Sequence, residues 1–290
     1  MVTISAVMVK ALRDRTSQSI MDCKRALTET EGEMDKAIAL LRKKGVAVME
    51  KRSGRETKEG HVVSVQSTDG RSAAIVLLCC ETDFTAKNEE FQKSVTAIAN
   101  GLLSAPTVPK TLEELLSVSL EGGQDISATV NSIVSKTGEK IAVGGFARFD
   151  LEGPGLLHSY IHFNGKIGTL VQLEVDTEEA VGCEELKGLV SDLAMHITAE
   201  NPTAVNREEI DEELVAKERE VALSQVKGKP ENIIDKIVKG KLNKWYQQMV
   251  LLEQPFVKDP DKRVQEILSS VGKEIGSEIR LKRFSRVQVG

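Results

Sequence analysis

Aromatic residues are scarce in this chain: one Trp, two Tyr and seven Phe make up 3% of its 290 residues. Little is left for stacking the bases of a single strand, and a net charge of −5 gives no general attraction to phosphate backbones. No direct nucleic-acid partner is expected. Long apolar runs are missing too; none approaches the roughly 20 residues that cross a bilayer. The N-terminal MVTISAVMVKALRDR has no continuous apolar block before a small-residue cleavage site, and no Arg/Ser-rich transit pattern. A cytoplasmic chain without membrane contact is expected.

The four cysteines, Cys23, Cys79, Cys80 and Cys183, form no CxxC pair, and no His stands at a metal-ligand spacing from them. Cys79 and Cys80 are adjacent in an apolar run, so they should face opposite sides of a strand as packing residues. Of the four histidines, His158 and His162 share a face of a predicted strand and read as hairpin surface, with a metal pair as the alternative. There is no GxxxxGK[ST], no GxGxxG after a strand, no HExxH and no calcium loop. Neither an enzyme nor a cofactor or metal site is expected.

What is present begins with three short helices over residues 1 to about 52. Val7, Val9 and Leu12 lie on the first. Ser19 is placed to cap the second, which Gly32 ends. The third carries Ala37, Ile38, Leu40 and Leu41 and finishes in the basic run Arg42, Lys43, Lys44, as a helix C-terminus favours. Residues 51–60 are polar and charged, a linker.

An internal repeat follows. At an offset of 95 residues, Gly60–Leu102 aligns without a gap with Gly155–Ile197. Gly70 meets Gly165, Val76 meets Val171, Leu78 meets Leu173, Thr82 meets Thr177 and Phe91 meets Leu186. Asp69-Gly70 and Asn164-Gly165 are two-residue hairpin turns, and each copy ends in an amphipathic helical pattern. Two related β-β-α units around one core are predicted, with further strands over 140–149 and 278–284. Helix is predicted over 112–134, interrupted at Gly122-Gly123. The charged stretch 207–227, striped by Ile210, Leu214 and Val221, is broken by Gly228-Lys229-Pro230. A helix bearing Ile234, Ile237, Val238, Leu242, Trp245 and Met249 follows it. That pattern predicts an antiparallel coiled-coil hairpin, which binds a partner or dimerises.

The repeat isolates one oddity. Asp83 and Phe84, at the strand-to-helix junction of the first copy, correspond to Glu178 and Glu179 in the second. The junction therefore folds without an aromatic. Phe84 is either tucked into a local core or displayed for a partner's pocket.

Several motifs in order then carry a resemblance: Leu12-Arg13-Asp14-Arg15-Thr16, Met21-Asp22-Cys23-Lys24-Arg25-Ala26-Leu27, Glu81-Thr82-Asp83-Phe84-Thr85-Ala86-Lys87-Asn88, Ala194-Met195-His196-Ile197 and Gln254-Pro255-Phe256-Val257. Over nearly its whole length the chain resembles the bacterial elongation factor Ts family, nucleotide exchange factors for elongation factor Tu. The resemblance implies an α+β protein with a ubiquitin-associated-like (UBA-like) three-helix domain (1–54) and a duplicated core. The core would divide into 55–140, 141–206 and 253–290, with the coiled-coil hairpin inserted at 207–252. It implies that Thr82, Asp83, Phe84 and Thr85 form the loop that enters the GTPase, with Phe84 as wedge and Asp83 near the region holding Mg²⁺. Arg13, Ile20, Met21, Lys24, Val257 and Lys258 would contact the GTPase. His196, at the border of its helix's apolar stripe, is expected to be partly exposed and to hold the partner's helices. Ile20 and Lys258 stand where the family more commonly carries Met and an apolar residue. The partner would be met GDP-bound and nucleotide-free, and a homodimer and a heterotetramer both stay open.

Overall fold

The protein is seen in a computed structural model that describes residues 4–16, 18–41, 43, 54–226 and 231–290. Three helices come first: α1 (Ala6–Thr16), α2 (Ile20–Glu29) and α3 (34–41). Ser19 caps α2, its hydroxyl accepting from the Asp22 N–H at 3.1 Å. Gly32 ends the turn beyond it with φ of 87°, a conformation side chains resist. Val9, Leu12, Cys23, Ala26, Leu27, Ala37 and Leu41 close a small core of their own, while Val7 faces outward. Arg42, Lys44, linker residues 51–53 and the turn Gly228-Lys229-Pro230 fall outside the described residues.

The two copies of the repeat follow. The first runs β1 (Glu59–Gln66), β2 (Ser72–Cys80), α4 (Asp83–Lys87) and α5 (Glu89–Ser104). It continues through α6 (Leu112–Leu116), α7 (Ile126–Thr137) and β3 (Ala142–Asp150). The second runs β4 (Gly155–Ile161), β5 (Ile167–Val175), α8 (Glu178–Val181) and α9 (Glu184–Glu200). After a 3-10 turn and the helices α10 (Glu212–Ser224) and α11 (Glu231–Met249), it resumes with the small ribbon β6 (Pro255–Phe256) and β7 (Asp259–Arg263). The chain then finishes with α12 (Val264–Ile275) and β8 (Ile279–Gln288). Each copy builds a three-stranded antiparallel sheet, β1-β2-β3 and β4-β5-β8. Even the irregularities repeat, with a register shift at Leu77/Leu78 in β2 and at Gln172/Leu173 in β5. Gly60 and Gly155 are both needed at close approach, since a Cβ at either would collide with a backbone carbonyl, that of Leu78 or Leu173.

The repeat extends further than the gapless alignment. Gly138 (φ 65°) ends α7 before β3, and Gly276 (φ 67°) ends α12 before β8. Each copy is thus β-β-α-α-β, and the α10–α11 insertion hides the last two elements of the second.

The two sheets pack face to face. Ala73, Ile75, Leu77 and Cys79 meet Leu157, Leu170, Val287 and Val289 across the interface. The alternate residues Ala74, Val76, Leu78 and Cys80 lie under α5 and α7, and Val171, Leu173 and Val175 under α9 and α12. Burial on both faces explains why β2 reads as a continuous apolar run, Ala73 to Cys80, rather than an alternating one. It also places Cys79 and Cys80 in different cores, as packing residues.

The helical hairpin departs from its expected register. Val215 packs near Trp245 and Met249, and Ala222 and Val226 near Ile234, Val238 and Leu242, so the helices run antiparallel. Leu214 and Val221, expected to face inward, are 44% and 48% exposed. The reason lies at the helix start. Asp211 caps α10, which leaves Ile210 buried but outside the helix, so extrapolating its stripe by helical spacing points to the wrong face.

Candidate partner-binding site

At the end of β2 the chain turns into α4, a helix of five residues. Thr82 is its cap, and the Thr82 hydroxyl accepts from the Thr85 N–H at 3.4 Å. Thr85 and Ala86 turn inward and are buried. Phe84, on the opposite side, is 84% exposed. The local-core reading of Phe84 is therefore excluded in the free chain. Asp83 is ion-paired with Lys87 one turn on, at 2.7 Å, and this contact holds its carboxyl below the usual carboxylate range. Asn88 then caps α5. In the second copy Thr177 caps α8 in the same way, Ala180 takes the buried place of Thr85, and Glu178 and Glu179 face solvent.

One carboxylate holds the α4 turn from below. Glu139 Oε2 accepts from the backbone N–H groups of Glu81 and Thr82, each at 3.1 Å. Its Oε1 accepts from the hydroxyls of Thr82 at 2.6 Å and Thr85 at 2.8 Å. Glu81 returns the arrangement: its carboxylate accepts from the Lys140 N–H at 2.5 Å and from the Arg55 guanidinium at 2.8 Å. The Cys80 thiol donates to the Thr82 carbonyl at 3.2 Å, and burial, with Glu139 nearby, pushes its pKa up to about 12. That keeps it a neutral thiol.

The expectation of a partly exposed His196 is overturned. Its relative exposure is 0%, because the segment after α11 folds across the stripe border. Its Nε2–H donates to Gln254 Oε1 at 2.9 Å, and Nδ1 accepts from the Val257 N–H at 3.2 Å, which fixes the neutral tautomer. Burial pushes the His196 pKa down. The Phe256 ring lies beside it, centroids 5.7 Å apart. His196, Val257 and Lys258 do form one group: Val257 is 43% exposed, and Lys258 pairs at 2.6 Å with Asp192, one turn before His196 on α9.

Arg13, Ile20, Met21 and Lys24 form a separate group on α1 and α2, all exposed. Ile20 and Met21 keep 56% and 62% of their surface in solvent. Two large apolar side chains open to water on the first turn of α2, with Lys24 one turn on from Ile20, make a small amphipathic face.

Comparison with known proteins points to one family. The family model described as elongation factor TS matches residues 81–290. Elongation factor Ts of Clostridium botulinum (strain Alaska E43 / Type E3) is 40% identical over 289 residues, covering 99% of this chain and 93% of that protein. Elongation factor Ts of Aquifex aeolicus (strain VF5) is 40% identical, covering 97% and 96%. That of a Nitratiruptor species is 39% identical over 289 residues, covering 99% and 93%. The chain belongs to the elongation factor Ts family. Its match begins at Glu81, the residue that opens the α4 turn.

For a member of the elongation factor Ts family, the residue that sequence reasoning missed is Glu139. It lies more than fifty positions from the turn it holds, in the loop between α7 and β3. The signal that points to it is the second copy: the Gly before β3 and the Gly before β8 align Glu139 with Ser277. Among the described residues no helix is long and apolar enough to cross a membrane, and no three His, Cys, Asp or Glu side chains converge as a metal site would need.

Proposed function

We propose that this chain is a guanine nucleotide exchange factor that binds elongation factor Tu–GDP, displaces its Mg²⁺ and promotes GDP release during translation elongation in the cytoplasm. The observation that carries the reading is Phe84, an exposed ring on a capped turn whose counterpart in the same chain carries Glu179. Burying one Phe in a partner contributes about 1.5–3 kcal/mol, which suits an interface anchor. Asp83 is carried in beside it toward the ion that neutralises the nucleotide's phosphates.

The logic is linkage. A protein that binds the nucleotide-free GTPase more tightly than the GDP form weakens GDP binding by the same factor. It needs no nucleotide site and no catalytic group of its own.

In this reading Arg13, Ile20, Met21 and Lys24 of a UBA-like domain (1–54) grip the GTPase from one side, and Val257 and Lys258 from the other. His196 serves that second contact from beneath, by fixing the Val257 backbone. The core divides into 55–140, 141–206 and 253–290, with α10–α11 an inserted coiled coil (207–252). Release of labelled GDP from purified elongation factor Tu tests the reading. The chain should accelerate release at substoichiometric concentration, and an unchanged rate at saturating chain would refute it.

A further inference from the structure

We infer that Glu139 is the positioning residue of the α4 turn, a carboxylate that sets Asp83 and Phe84 in the geometry they need before any partner arrives. The inference rests on the exchange-factor reading and goes beyond it, because Glu139 does not belong to the exposed contact surface.

The two copies can be compared inside one chain. Both copies make the same junction, with a Thr cap, a short helix and a third strand that begins beside it. In both, the acid that ends the second strand bonds the start of the third: Glu81 takes the Lys140 N–H at 2.5 Å, and Asp176 takes the Glu278 N–H at 3.1 Å. That contact belongs to the fold. The residue just before it differs. In the second copy Ser277 accepts a single bond, from the Asp176 N–H at 3.0 Å. In the first, Glu139 accepts four, and two come from hydroxyls on opposite ends of the first turn of α4. One hydrogen bond suffices to fold the junction; the copy that displays Phe84 uses four.

Physical reasons favour a role for the extra three. A helix of five residues is too short to hold itself, since nucleation costs more than one turn returns. Phe84, being exposed, contributes no packing to fix α4. Charge-assisted bonds to a carboxylate are the stronger kind, and Thr82 and Thr85 are bound through the same oxygen, which ties Thr82 to the first turn of α4. A turn fixed beforehand does not have to be ordered during binding, so affinity is not spent on that ordering.

The test compares GDP release from elongation factor Tu by wild type, Glu139→Ser, Phe84→Ala and the double variant. Glu139→Ser installs the residue that the second copy uses, so the fold should survive it. It should lower kcat/KM for release roughly tenfold, the loss expected when a few groups must be ordered on binding. Amides of Glu81, Thr82 and Thr85 should exchange hydrogen faster, with α5 amides unchanged. In the double variant Glu139→Ser should add little to Phe84→Ala, because it acts through that ring. Glu139→Gln, which keeps one accepting oxygen, should fall between wild type and Glu139→Ser, and it replaces Ser if that variant melts early. Wild-type release by both Glu139 variants while Phe84→Ala is slow overturns the inference alone. So does full additivity in the double variant. Wild-type release by Phe84→Ala would instead sink the wedge reading, and the inference with it.

Discussion

At the end of β2 the chain turns through Thr82-Asp83-Phe84, and at the end of β5 it makes the same turn through Thr177-Glu178-Glu179. The strands before these turns, their register shifts and their capping threonines correspond residue for residue, and a short helix and a long one follow each. What differs is what faces water and what lies behind it. One turn shows an aromatic ring over a four-bond carboxylate, the other shows two acids over a serine. Duplication thus separates what the fold requires from what is added to it. Residues the copies share hold sheets together, and residues they do not share are free to serve binding.

The largest effect should come where the copies agree. Leu78 and Leu173 occupy equivalent places under α5 and α9, each at 0% exposure. Truncating either to Ala should cost about 2–5 kcal/mol of stability. Denaturant melts should show losses of similar size in both, and a loss in one copy alone would break the symmetry of the cores.

Phe84→Ala comes next. It should weaken elongation factor Tu binding by about 1.5–3 kcal/mol, roughly 10- to 150-fold, and leave the melting temperature of the free chain nearly unchanged. A titration that finds normal affinity would place Phe84 outside the interface.

His196→Ala should destabilise the second copy by about 1–3 kcal/mol, since Gln254 and the Val257 N–H lose a buried partner. The first copy offers no equivalent. Because burial lowers the folded-state pKa of His196, the unfolded chain binds its proton first as pH falls. Its contribution is intact above about pH 6.5 and shrinks below that value. His61 and His158 shift in the same direction through burial, so His196→Asn should flatten the acid loss of stability only in part. Melts between pH 5 and 8 that show no flattening would contradict the neutral, clamped imidazole.

Asp83→Ala should have the smallest effect, a several-fold slowing of GDP release that is greatest with Mg²⁺ present, because the carboxylate acts through the ion. Equal slowing with and without Mg²⁺ would assign Asp83 to simple contact.

Much of this comparison could be read from the chain alone. The gapless offset and apolar spacing indicated both hairpins and the helices after them, since these depend on near neighbours. The turns differ from the two-residue form expected: four residues, 68–71 and 163–166, close each hairpin, and Gly70 and Gly165 take the positive φ after a turn that begins at Ser67 or His162. Three further features escaped. Leu214 and Val221 face solvent because the cap at Asp211 resets the helix, which spacing from Ile210 does not register. His196 is buried by Gln254 and Val257, 58 and 61 residues away. Glu139 is likewise distant from the turn it holds, and its copy partner Ser277 sits behind an insertion that breaks the alignment. Local patterning predicts elements; long-range hydrogen bonds decide which side chains at their borders are free.

The central claim is that the turn of the first copy acts on elongation factor Tu because of what it displays. The direct measurement is labelled GDP release with Phe84→Glu, which gives the first turn the residue of the second, beside Glu179→Ala as the matched change in the other copy. The account predicts that Phe84→Glu loses stimulation at concentrations where wild type is saturating, with an unchanged melting temperature, while Glu179→Ala keeps the wild-type rate. Wild-type release by Phe84→Glu would contradict it.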